Sequence, residues 1–120
     1  MELFKPVNQS NPSVAAAAYQ YRALIRATDP ARHAEARADL EESKKLLEQR
    51  VQESPKVPEP LGHLGRTYLA LGRLAKQTND PAAVDWFRKA AKSLEKALTQ
   101  SLDNAQDKQL LTEIQAELHK

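Results

Sequence analysis

The 120-residue chain contains no cysteine, which removes disulfides, thiolate metal sites and cysteine nucleophiles together. Aromatic residues make up only 5% of it. Its three glycines, Gly62, Gly65 and Gly72, lie within a helical pattern and not after a strand, so there is no phosphate-cradling loop. β-branched residues are few and scattered, with no alternating run of the kind a strand needs. No stretch approaches the ~20 consecutive apolar residues of a membrane span. Residues 1–11 lack the basic start and apolar run of a signal peptide, so a cytoplasmic protein is expected. Charge of one sign is also scarce. A net charge of +2 is too small an excess to support nucleic-acid binding.

What remains is rich in Ala, Leu, Glu, Lys, Gln and Arg, the residues that lose least on entering a helix. An apolar fraction of 41% with 28% charged residues fits one globular domain with its own core, and the fold class expected is all-α. Asn11-Pro12, Asp29-Pro30 and Asp80-Pro81 each set a capping side chain before a proline, a helix-start signal. Pro55, Pro58 and Pro60 break any helix between 54 and 60, and Asp103 marks a weaker start. Between these breaks apolar residues recur at helical spacing. The first helix, 12–27, carries Val14, Ala17, Ala18, Tyr21, Leu24 and Ile25. The second, 30–53, carries Ala36, Leu40, Leu47 and Val51, with His33 and Ser43 on the same stripe. The third, 60–76, carries Leu61, Leu64, Tyr68 and Leu71, and the fourth, 81–100, carries Val84, Phe87, Ala91, Leu94 and Leu98. The fifth, 104–119, carries Leu111, Ile114 and Leu118. The tail 1–11 has Leu3, Phe4 and Val7 without a period and reads as extended or disordered.

The chain also repeats itself. A shift of 51 residues lays Asp29-Pro30-Ala31 on Asp80-Pro81-Ala82 and Leu47 on Leu98, while a shift of 47 lays Tyr21 on Tyr68 and Leu24 on Leu71. In the second copy, Leu61, Leu64-Gly65, Tyr68 and Gly72, followed by Ala83, Phe87 and Ala90, resemble the tetratricopeptide repeat. In the first, Ala17-Ala18 and Tyr21 stand in for Leu64-Gly65 and Tyr68. The loop 75–80 makes the second repeat longer than the family's, and the second helix lacks the family's aromatic. The resemblance implies a right-handed array of about five antiparallel helices over 12–120. Repeat one would occupy 12–53, repeat two 58–100 and a capping helix 104–119.

No constellation supports catalysis. His33, His63 and His119 lie on different helices without a second ligand at metal spacing, so neither metal nor cofactor is expected. Glu41 and Glu42 are neighbours that point in different directions and, with Lys44, Lys45 and Glu48, make a solvated face. No Ser or Thr lies near a plausible His–Asp pair. Trp86 stands outside the main stripe and is expected to pack on the fifth helix or a neighbouring repeat. An exposed hot spot for a partner is the alternative. The resembled family lines a concave groove with the first helices of its repeats. Carried over, this assigns Tyr19, Arg22 and Arg26 from one copy, and Glu59, His63, Arg66, Leu69 and Arg73 from the other. Arginine forks grip carboxylates, so the implied function is a non-catalytic protein-interaction module binding an acidic or C-terminal peptide. A structural or oligomerisation subunit is the alternative, with the chain as a homo-oligomer or part of a longer array.

Overall fold

The structure is a computed structural model that describes residues 12–100 and 105–119. The tail 1–11 and the start at Asp103 lie outside those residues. Five α-helices and no strand occur among the described residues: α1 (Pro12–Arg26), α2 (His33–Glu53), α3 (Pro58–Gln77), α4 (Ala83–Gln100) and α5 (Ala105–Leu118). The all-α class is therefore observed, and no helix among them is long and apolar enough to cross a membrane.

Helix starts follow the capping chemistry, displaced by a few residues. The Asp29 carboxylate accepts from the Ala31 N–H at 3.0 Å and holds a 3-10 turn, Pro30–Arg32, ahead of α2. Asp80 does the same for Ala82 at 2.9 Å, and α4 begins at Ala83. In both places the aspartate closes a tight turn two residues on, so the α-helix proper begins later than the proline. α3 begins at Pro58, two residues earlier than the expected Pro60. Both prolines fit the first turn, where an N–H has no helical partner to lose. α3 ends where Asn79 adopts a left-handed φ of 58° and the Asp80 N–H returns to the Ala75 carbonyl at 2.8 Å. Asparagine tolerates that region better than most residues.

α3 packs most extensively on α4 and α1 on α2; α2 also meets α3, and α5 covers α4. The α3–α4 contact is close because glycine allows it. A Cβ on Gly65 would stand 2.6 Å from Leu94 Cγ, and one on Gly72 would stand 2.7 Å from the Phe87 ring. Phe87 and Tyr68 are both buried, as their place on the stripe implies. Three hydroxyls reach into this interior with partners: Ser93 donates to the Leu61 carbonyl at 2.7 Å, and Ser43 and Thr67 join α2 to α3 at 3.0 Å. On α2 the stripe Ala36, Leu40, Ser43 and Leu47 is buried as expected.

α1 is turned differently from the expectation. Its buried residues are Ala15, Ala16 and Ala23, whereas Val14, Tyr21, Leu24 and Ile25 are 51%, 70%, 52% and 61% exposed. Tyr21, aligned by the shift of 47 with buried Tyr68, does not share its environment. On α2, Glu35 and Ala36 stand where the shift of 51 places Trp86 and Phe87, so no aromatic covers Tyr21. The small pair Ala16 and Ala23, seven residues apart like Gly65 and Gly72, is buried instead. Trp86 also differs. It is half-buried and stacks on Tyr68 at 6.0 Å, with Lys44 of α2 and Lys89 over its ring.

Candidate functional site

The eight groove residues expected from sequence separate into three places. Arg22 and Arg26 project from α1 to α2 and share the buried Asp39 carboxylate. Arg22 donates through Nη2 at 2.6 Å and through Nε at 3.1 Å, and Arg26 adds Nη1 at 3.1 Å. Glu35 lies 3.4 Å from Arg26 Nε, so two cations meet two carboxylates. Tyr19, half-buried, has the Arg22 guanidinium 5.7 Å from its ring centre. These residues form a joint between α1 and α2. Asp39 sits one residue before Leu40 on a helix, which gives a sequence pattern no sign that it faces inward.

The second place is the start of α3. Arg66 Nη2 donates to Asp107 of α5 at 2.9 Å and to Gln106 at 3.0 Å, while its Nε is buried without an acceptor among the described residues. Asp107 is buried against Gly62, where an added Cβ would come within 2.9 Å of its Oδ2. Glu59 and His63 edge the same small hollow. Burial holds the His63 imidazole below the ordinary histidine value; Arg66 acts in the same sense, and Glu59 and Asp107 oppose it.

The third place is a groove of about 410 Å³ between α1, α3 and α5. Leu24, Leu69, Leu74 and Leu110 supply its apolar wall, Gln20, Gln77 and Gln106 bring amides to it, and Arg66 and Arg73 stand at it. Arg73 is exposed and makes no ion pair among the described residues. Of the residues expected in a groove, the structure brings together Arg66, Leu69 and Arg73. Tyr19, Arg22, Arg26, Glu59 and His63 do not line it. Leu24, the glutamines and Leu110 were missed, because membership depends on how α1 and α5 lie beside α3.

The four-arginine surface is thus much less cationic than the count suggests: three of the four are held by the chain's own Asp39 and Asp107. Tyr68 is likewise turned to structure, donating to Glu48 at 2.6 Å, and burial first and then that carboxylate raise its pKa. No group of three His, Asp or Glu side chains placed to hold a metal ion occurs among the described residues. No protein-family model, curated protein or solved structure matches the chain.

Proposed function

We propose that the chain is a non-catalytic protein-interaction module of tetratricopeptide-repeat type, and that the α1/α3/α5 groove holds a short segment of a partner. The observation that carries this reading is the combination in one groove of an apolar wall, three amides and the Arg73 guanidinium, which makes no ion pair among the described residues. Leucines 24, 69 and 110 suit an apolar side chain. Glutamine amides can both donate to and accept from an extended backbone. Arg73 suits one carboxylate, from an acidic side chain or a C-terminus. The segment favoured is therefore apolar with a single carboxylate, a narrower class than the acidic or C-terminal peptide expected from four arginines.

The test is a titration of the 15N-labelled protein with peptides pairing a leucine with a terminal carboxylate, against the same peptides amidated at the C-terminus. Amide shifts should cluster at Leu69, Arg73, Gln77 and Leu110, and amidation should weaken binding about tenfold or more, the loss of one charged hydrogen bond of about 1.5–3 kcal/mol. Shifts confined to other surfaces, or no dependence on the carboxylate, refute the groove assignment. The alternative, a structural or oligomerisation subunit, has one specific observation in its favour: the exposed apolar face of α1.

A further inference from the structure

Four of the six exposed large hydrophobic residues among the described ones, Val14, Tyr21, Leu24 and Ile25, lie on α1. With exposed Ala17 and half-buried Ala18 they form one helical stripe. The other two, Val57 and Val84, are isolated among Lys56, Glu59 and Asp85. α1 also carries no acid and no lysine, and its two arginines are turned to Asp39. Its outward face is therefore apolar and without formal charge from its own residues, a combination that soluble surfaces seldom leave uncovered.

We propose that this face pairs with the same face of a second copy of the chain, α1 antiparallel to α1 across a two-fold axis. A two-fold interface must be self-complementary, and two features make this face so. The absence of charge on it removes the like-charge contact that self-pairing normally brings. An antiparallel register centred between Tyr19 and Gln20 sets the small Ala18 against the large Tyr21 on both sides of the centre and Val14 against Ile25 at its two ends, so these four apolar positions meet only one another. An acidic or basic partner would find nothing on this face to answer its charge. α1 is only about 22 Å long and offers less than the roughly 800 Å² per partner of a standard interface. The dimer is accordingly a weak one, in concentration-dependent exchange with monomer. This inference does not rest on the groove reading.

The test is sedimentation of the full chain from about 5 to 500 μM, a range that spans weak association. The mass should rise from 13.4 kDa towards twice that value. Tyr21→Glu and Ile25→Glu, outside the groove lining and well exposed, should keep the helical circular dichroism and melting of the parent yet stay monomeric throughout. Arg73→Ala should associate as the parent does. Ala18→Glu mixed with Tyr21→Lys should associate more tightly than either alone. A parent that remains at 13.4 kDa overturns the proposal, whichever other occupant takes the face, residues 1–11 included. A dimer that survives both glutamates overturns it too, by placing the contact elsewhere. A mixture no tighter than its components overturns the antiparallel pairing.

Discussion

Asp39 holds two arginines with one buried carboxylate, and the three groups answer differently to deletion. Removing either arginine leaves Asp39 with the other. Removing Asp39 takes from both half-buried guanidiniums the carboxylate they share, with Glu35 left beside Arg26. Asp39→Ala should therefore lower stability by about 2–4 kcal/mol in denaturant melts, and Arg22→Ala by clearly less, since loss of one partner from a buried pair leaves an uncompensated charge. His63 sets a pH dependence of known sign. Its folded pKa lies below the ordinary 6.5, so the unfolded chain takes up a proton there that the folded chain resists. The stability associated with the neutral ring is intact above about pH 6.5. It is lost as the pH falls below that value, and the loss ends beneath the lowered pKa. His63→Gln should flatten that part of a stability–pH curve measured by thermal melts; an unchanged slope would place the titration elsewhere.

At the scale of elements, α3 and α4 each bury an apolar face against the other as their patterns imply, except at Val84, which was expected on the α4 stripe but is exposed in the first turn. Phe87→Ala should cost about 3–5 kcal/mol in denaturant melts, the range for deleting a core aromatic. Gly65→Ala should also destabilise, by about 1–3 kcal/mol, because the added methyl meets Leu94 across a helix contact with little room to relax. α1 shows where such patterns mislead. Its alanine-rich sequence allows two faces to be buried, the large-residue stripe or the Ala15, Ala16 and Ala23 side. Periodicity selects the larger residues. The helix buries the other side, on which Ala15, Ala16 and Ala23 lie, and Arg22 and Arg26 reach Asp39 of α2. Helix starts were legible to within three residues from proline and aspartate chemistry, and the shifts at α2, α3 and α4 come from turns that precede or enter the first helical turn.

For the molecule as a whole, Arg66 and Arg73 are now distinguishable although both stand at the groove. Arg66→Ala strips the buried Asp107 of its cation and should lower the melting midpoint, while Arg73→Ala should leave stability within about 0.5 kcal/mol, as for an ordinary exposed substitution. If the groove binds a carboxylate, Arg73→Ala should weaken that complex and reduce its salt dependence, because an exposed charge pair is screened by ions. Calorimetric titration at two salt concentrations measures both effects. Equal salt dependence with and without Arg73 would remove it from the contact.

The sequence by itself determined the helical class, the five helices among the described residues, the breaks between the first four of them and the burial of Tyr68 and Phe87. These depend on local propensity, capping chemistry and one-dimensional spacing, all of which are local properties of the chain. Only the tertiary structure decided which side of α1 faces inward, that Arg22, Arg26 and Arg66 are matched by Asp39 and Asp107, and that Leu24, Gln77 and Leu110 share a groove. Each of these depends on partners 13 to 41 residues away in the chain or on the relative placement of helices. An arginine reads the same in sequence whether it meets solvent or a buried carboxylate, and helix packing alone tells the two apart.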